Sequence, residues 1–264
     1  MKMTDANFVA MDSCNGLTST PAAIDAFTKG CTLKNGESCM ELAARYLCGA
    51  NVAKDAAKAT DFSERACDLG AAQGCNLAAM SLVTAAEPSA RAAAMHYAQH
   101  GCDLGDEMSC TDVGIIYMEG LGVAVDFTRA AQIFETYCKR SSMTACANLA
   151  LLVYMGNGTP RDPVRAKDLA QRSCDAHMDA GCNVLGAVLM DANDAASAAS
   201  AEQIFAGLCD RGQGGGCDNL GVLYMRGLAG RAPDRDRALP AFKRACDLGN
   251  AIGCTHLGQV SAGP

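Results

Sequence analysis

The sequence predicts an all-α fold, a solenoid of short helical repeats stapled by disulfides, and three observations predict it. Seven cysteine pairs, each with seven residues between its members, recur about every 36 residues along the 264-residue chain. They are Cys31 with Cys39, Cys67 with Cys75, Cys102 with Cys110, Cys138 with Cys146, Cys174 with Cys182, Cys209 with Cys217, and Cys246 with Cys254. Self-similarity at a fixed period of this length marks a repeat array, in which each unit buries its apolar face against its neighbours. Alanine stands eight residues before the first cysteine of every pair, and a mostly apolar residue stands four before it, the spacing of one helical stripe. Half of the residues are apolar, yet aromatic residues make up only 5% and tryptophan is absent. Side chains this small suit tightly stacked helices better than one thick central core.

Each repeat opens with a helix, B, carrying that stripe. Its alanines are Ala23, Ala59, Ala94, Ala130, Ala166, Ala201 and Ala238, followed one turn later by Phe27, Ser63, Ala98, Phe134, Ala170, Phe205 and Phe242. The helix is expected to end in Cys-Asp-Leu-Gly runs such as residues 67–70, 102–105 and 246–249. Gly70, Gly105, Gly212 and Gly249 then stand where a left-handed residue terminates a helix. The second cysteine is expected to open helix A. Glycine precedes it at Gly74, Gly181, Gly216 and Gly253, and four residues after it the side chain is always Gly or Ala: Ala43, Ala79, Gly114, Ala150, Gly186, Gly221 and Gly258. Glycine inside a helix costs up to about 1 kcal/mol, which close approach of a neighbouring helix would offset. Glycine-containing loops such as residues 120–123 then lead to the next B helix. Residues 191–197 read as another such loop. Residues 212–216 read as a flexible Gly-rich turn without the Lys-Ser/Thr ending of a phosphate loop. The expected organisation is a single repeat domain over 1–264: an imperfect N-terminal helix over 1–20, six to seven repeats over 21–260, and a short tail over 261–264. The unit at 73–104 departs most, because Ala85-Ala86-Glu87-Pro88 replaces its Gly-rich loop.

Sixteen cysteines in even number and fixed spacing favour a disulfide framework. Zinc sites use shorter Cys-x2-Cys spacings with His or Cys partners nearby. Each cysteine pair spans the turn between helix B and helix A, and closing a loop of about nine residues contributes roughly 2.5 kcal/mol. Cys14 and Cys48 fall outside the period. Both sit near helix ends 34 residues apart, and the expectation is an eighth, lateral disulfide between them. So many disulfides imply an oxidising compartment, periplasmic or secreted. The start at Met1-Lys2-Met3-Thr4 carries no apolar signal segment, so the sequence reads as a mature or trimmed form. No apolar run approaches the ~20 residues of a membrane span.

A net charge of −7, without a block of Lys or Arg, argues against nucleic acid and anionic membranes as partners. Motifs for catalysis are missing: there is no Ser-x-x-Lys, Lys-Thr-Gly or Ser-Asp-Asn, and no His-Glu-x-x-His. No catalytic residue, metal ligand or cofactor is assigned, and the chain is expected to be a monomer. His96 and His100 are the most suggestive metal pair, four apart on one helix face, but without a third ligand nearby they read as solvated imidazoles. His177 reads as an exposed residue replacing glycine in a turn. Met80, Met118, Met155 and Met225 fall toward A-helix ends and read as inter-helix packing.

The stretches 216–224 and 242–249 resemble Sel-1-like repeats, relatives of tetratricopeptide repeats, and the C-x(7)-C spacing resembles the Helicobacter cysteine-rich proteins in particular. The resemblance runs from about residue 21 to 260. It implies a right-handed α/α superhelix whose A helices line a concave groove, in proteins that act mostly as adaptors. It also implies, for the cysteine-rich subfamily, penicillin or peptidoglycan-fragment binding with weak β-lactamase activity. Some periplasmic relatives resemble immunity proteins against bacterial toxins. The leading expectation is a groove that takes a peptide or protein partner. Groove candidates are the residues two after the second cysteine, Glu41, Asp112, Asn148, Asn219 and His256, with Arg45 one turn beyond Glu41. Such a row either clamps a partner's backbone or hydrogen-bonds neighbouring repeats and caps first turns; the sequence supports both equally.

Overall fold

The computed structural model describes residues 20–83, 87–228 and 230–262. Among them are two compact units, one ending at Ile133 and one beginning at Phe134. The first holds α1 (Pro21–Thr32), α2 (Gly36–Cys48), α3 (Ala56–Asp68), α4 (Ala72–Val83), α5 (Pro88–Asp103), α6 (Glu107–Glu119) and the start of α7 (Phe127–Lys139). The second holds the rest of α7, then α8 (Met143–Met155), α9 (Pro163–Asp175), α10 (Asp179–Ala192), α11 (Ala195–Asp210), α12 (Gly214–Arg226), α13 (Arg235–Asp247) and α14 (Ala251–Ser261). Odd-numbered helices are B helices and even-numbered ones A helices. From α1 to α6 and again from α8 to α14 consecutive helices pack on one another, and so does each A helix on the next: α2 on α4 and α4 on α6, then α8 on α10, α10 on α12 and α12 on α14.

The B-helix stripe forms the core. Ala59, Ala94, Ala130, Ala166, Ala201 and Ala238 are fully buried, as are Ser63, Ala98, Phe134, Ala170, Phe205 and Phe242 one turn later. Only the first repeat's Ala23 and Phe27 are half-buried. The buried Ser63 hydroxyl is satisfied by donating to its own helix, at Ala59 O, 2.6 Å away. The small residue of helix A exists for the next B helix. A Cβ on Gly186 would lie 2.5 Å from Phe205, and one on Gly221 would lie 2.5 Å from Phe242. Where the next B helix carries a small residue instead, the A helix carries alanine: Ala79 packs in one cluster with Ala98.

All seven expected C-x(7)-C disulfides form. In the first unit Cys31 is bonded to Cys39, Cys67 to Cys75 and Cys102 to Cys110, with Cα–Cα distances of 4.7, 4.4 and 4.5 Å. Beyond them Cys138 is bonded to Cys146, Cys174 to Cys182, Cys209 to Cys217 and Cys246 to Cys254, at 4.6, 4.4, 4.5 and 4.4 Å. Cys14 lies outside the described residues, and the expected N-terminal helix over 1–20 does too, apart from Thr20, which caps α1.

In six repeats the helices cross immediately before the disulfide, and one side of the crossing is glycine. Glycine before the second cysteine faces a larger residue before the first: a Cβ on Gly74 would lie 2.5 Å from Ala66 Cβ, on Gly181 2.4 Å from Ser173 Oγ, on Gly216 2.4 Å from Leu208 Cβ, and on Gly253 2.5 Å from Ala245 Cβ. In two repeats the roles invert, with Gly30 facing Ser38 and Gly101 facing Ser109, each 2.3 Å from the serine Oγ.

Turn chemistry is uniform. Three residues after each first cysteine the backbone is left-handed, at Lys34, Gly70, Gly105, Ser141, His177, Gly212 and Gly249. Glycine fills four of these places because it adopts that conformation without strain, and the exposed His177 does replace it.

Three boundaries differ from expectation. The second cysteine does not open helix A. Cys39, Cys75, Cys110, Cys146, Cys182, Cys217 and Cys254 each stand fourth in their helix, which begins three residues earlier. The physical reason is capping: Asn35, Asp106, Ser142 and Asn250 accept the N–H of the third residue on and start the helix there. The loop expected over 191–197 shrinks to Asn193 and Asp194, since Asp194 accepts Ser197 N–H at 2.9 Å and starts α11. Gly214–Gly216, expected to be flexible, form the first turn of α12.

Candidate interaction surface

Successive A helices within a unit are joined by polar bridges in a fixed register. The residue one after the second cysteine of one repeat meets the residue two after it in the next. Asn76 Nδ2 on α4 donates to Asp112 Oδ2 on α6 at 2.6 Å. Asn219 Nδ2 on α12 donates to Asn183 Oδ1 on α10 at 2.7 Å. His256 Nδ1 on α14 lies 2.7 Å from Asp218 Oδ1 on α12, with its ring centroid 5.2 Å from that of Phe242.

The other expected row members sit differently. Glu41 pairs with Arg45 inside α2 rather than across helices. Arg45 is buried, with its guanidinium 4.5 Å from the Phe27 ring centroid, so the pair closes the side of the first repeat. Asn148 is buried in α8. The methionines divide: Met118 is buried, Met80 and Met225 are half-buried, and Met155 is 49% exposed.

Between α4 and α6 the A-helix face carries a shallow apolar recess of about 10 Å³, lined by Ala79, Met80, Val83, Asp112, Ile115 and Ile116. Burial there pushes the Asp112 carboxyl up to about 8; the charge of Asp106 adds to the shift and the Asn76 hydrogen bond opposes it. Burial thus favours the protonated, uncharged form of Asp112 beside Asn76. The equivalent bridge in the other unit, Asn219–Asn183, achieves neutrality with two amides.

A second polar layer lies where A helices hand over to B helices. Tyr154 Oη donates to Asp191 Oδ2 at 2.6 Å, and Asp191 also receives Arg226 at 3.0 Å and Arg161 at 3.8 Å. Burial and the Asp191 carboxylate push Tyr154 up to about 12. Burial alone would raise Asp191, but the Tyr154 hydroxyl and the two arginines bring it below the usual carboxylate range. Tyr224 repeats the pattern, with Arg237 stacked 4.0 Å from its ring and paired to Glu202. The cysteine spacing gave no hint of this layer; the recurring Tyr of the A-helix ending was its sequence signal.

Cys67 Sγ, Cys75 Sγ and a ring nitrogen of His100 lie within 4.8 Å of one another. Both sulfurs are committed to the Cys67–Cys75 disulfide and are not metal ligands in this state. No helix among the described residues is long and apolar enough to cross a membrane.

The Sel1 repeat family profile matches residues 36–70, 108–139, 144–177 and 216–250. Among curated proteins, the chain is similar to cytochrome c oxidase assembly factor 7 of Xenopus tropicalis, with 26% identity over 158 residues that make up 58% of this chain and 53% of that protein. It is also similar to cytochrome c oxidase assembly factor 7A of Xenopus laevis, with 25% identity over 154 residues, 56% of this chain and 52% of that one. The chain thus spans about half the length of the curated relatives it matches. Among solved structures, a Sel1 repeat protein from Oxalobacter formigenes superposes with a TM-score of 0.62 at 17% identity, over 96% of this chain and 75% of that one, a likeness of fold. Helicobacter pylori cysteine rich protein B matches at 25% identity over 50% of this chain and 96% of its own, with a TM-score of 0.38.

Proposed function

Because the chain belongs to the Sel1 repeat family, whose profile covers more than half of its residues, we propose that it is an extracytoplasmic scaffold holding a segment of a protein partner on the face made by its A helices. The observation that carries this reading is the recess between α4 and α6. Its lining is apolar and includes an adaptable methionine, Met80. Its polar part is the hydrogen-bonded Asn76–Asp112 bridge, where burial favours the uncharged carboxyl. The space there, about 10 Å³, admits no whole side chain, so an apolar group of a partner would pack over the lining as the flexible Met80 shifts, with the Asn76–Asp112 bridge beside it.

Seven disulfides support the compartment. Thiols kept reduced in a cytosol would not close them, and a core of alanines gains most from being fastened. The similar Xenopus proteins are named assembly factors, in keeping with a role exerted on other proteins.

The test is a pull-down of the oxidised protein from periplasmic extract and culture medium beside Met80→Glu, which places a charge in the recess without touching the helix crossings. A partner captured by the wild type and lost with Met80→Glu is expected. A partner retained by that variant would move the site off the α4–α6 face, and capture of nothing would turn the search to small ligands, beginning with a chromogenic β-lactam assay.

A further inference from the structure

On α5, away from the A-helix face, His96, Gln99, His100 and Asp103 line one surface cavity together with Asp68, the last residue of α3. His96 is exposed and His100 half-buried, with ring centroids 6.3 Å apart. Two histidines four apart on one helix face are the spacing by which helices chelate a metal ion. Asp103, three residues beyond His100, continues that face, and Gln99 Nε2 donates to its Oδ1 at 2.9 Å.

The half-buried imidazole is oriented from behind. His100 Nδ1 lies 3.4 Å from Cys67 Sγ of the second disulfide. A disulfide sulfur carries no proton, so a hydrogen bond there places the proton on Nδ1 and leaves the lone pair on Nε2. Metal-binding histidines are held in the same way, one nitrogen fixed by an outer partner and the other turned to the ion. The surroundings are negative. Burial raises the Tyr97 hydroxyl, and the charges of Glu64 and Asp68 push it in the same direction. Burial likewise raises Glu64, with Asp61 and Asp68 adding to it.

We propose that His96 and His100 form a surface site for a divalent first-row transition metal ion, closed when the exposed side chain of Asp68 or Asp103 turns toward it, since the two imidazoles and either carboxylate do not all stand within 4.8 Å of one another beforehand. Two imidazoles and one carboxylate suit Zn2+, Ni2+ or Cu2+, and not the all-oxygen cations Ca2+ or Mg2+. The site uses the oxidised protein as it stands, and the Cys67–Cys75 disulfide serves as the positioning group for His100.

Titrating the oxidised chain with Zn2+ by calorimetry tests this, with Ca2+ as the comparison ion. One saturable Zn2+ equivalent is expected, weakened about tenfold or more in His96→Ala and in His100→Ala, and retained in His177→Asn. His96 is exposed on a helix, so His96→Ala keeps the fold, which circular dichroism checks. No saturable equivalent, equal affinity for Ca2+, or binding unaffected by His96→Ala would overturn the site. Unchanged affinity in the double variant Asp68→Asn with Asp103→Asn would overturn the carboxylate ligand.

Discussion

Gly186 and Phe205 occupy a single packing volume: a Cβ on Gly186 would stand 2.5 Å from the Cε1 atom of the Phe205 ring. The glycine lies in the middle of α10, where helix propensity alone would favour alanine by about 1 kcal/mol. It is retained because Phe205, fully buried on α11, fills the space that a methyl group would need. Gly186→Ala should therefore destabilise the protein by about 1–3 kcal/mol through overpacking, despite the gain in propensity. In a Phe205→Ala background the same change should cost less, because small then faces small as at Ala79 and Ala98. Urea denaturation of the double-mutant cycle measures this, and simple additivity would refute the shared volume.

Reciprocity at the helix crossings gives a sharper swap. Gly74→Ser should destabilise the second repeat, since its Cβ would lie 2.5 Å from Ala66 Cβ and 3.1 Å from Cys67 N. Adding Ala66→Gly recreates the inverted arrangement of Gly101 with Ser109 and should recover at least half of the loss. Thermal unfolding of the single and double variants reads this directly.

The Asp112 carboxyl makes stability depend on pH. Its folded value, about 8, lies above the ordinary 3.8, so the folded state holds a proton that the unfolded chain releases. Its contribution is complete below about pH 4 and is lost as pH rises toward 8. Asp112→Asn keeps the Asn76 bridge, as Asn219 does with Asn183, and should stabilise the protein at pH 8 by about 1 kcal/mol or more while changing little at pH 4. Melting temperatures at the two pH values check it.

Asp191 has the opposite sign. Its carboxyl is lowered by Tyr154, Arg226 and Arg161 against the effect of burial, so its contribution is present above the unfolded value and lost as pH falls through the folded one. Tyr154→Phe removes the 2.6 Å hydrogen bond and should lower stability by about 0.5–1.5 kcal/mol at neutral pH, an effect that shrinks in acid. Guanidinium titrations at neutral and acid pH measure it.

Much of this fold was legible in the sequence because its packing rule is local. Ala59, Ser63 and Cys67 recur at spacings of four, and the helix that buries them lies within the same 36 residues. Helix starts were less legible. The caps Asn35, Asp106 and Asn250 stand four residues before Cys39, Cys110 and Cys254, and the regular cysteines drew the boundary to themselves. The reciprocity of Gly101 with Ser109 was hidden because each partner occupies a variable position, glycine standing before the first cysteine in two repeats and before the second in four. The row of Glu41, Asp112, Asn148, Asn219 and His256 was visible as a register. Asp112, Asn219 and His256 bridge helices because Asn76, Asn183 and Asp218 stand opposite them with hydrogen-bonding side chains. At Glu41 the bond stays within the helix because Arg45 stands one turn on.

The most direct test of the proposed scaffold role is site-specific photocrosslinking in an oxidising compartment, with a photoreactive amino acid at Met80 and, as control, at the exposed Lys139. A discrete crosslinked protein from position 80, absent from position 139 and suppressed by Ile115→Asp on the opposite wall of the recess, is the expected result. Crosslinks of equal pattern from both positions, or none from position 80, would contradict a partner seated between α4 and α6.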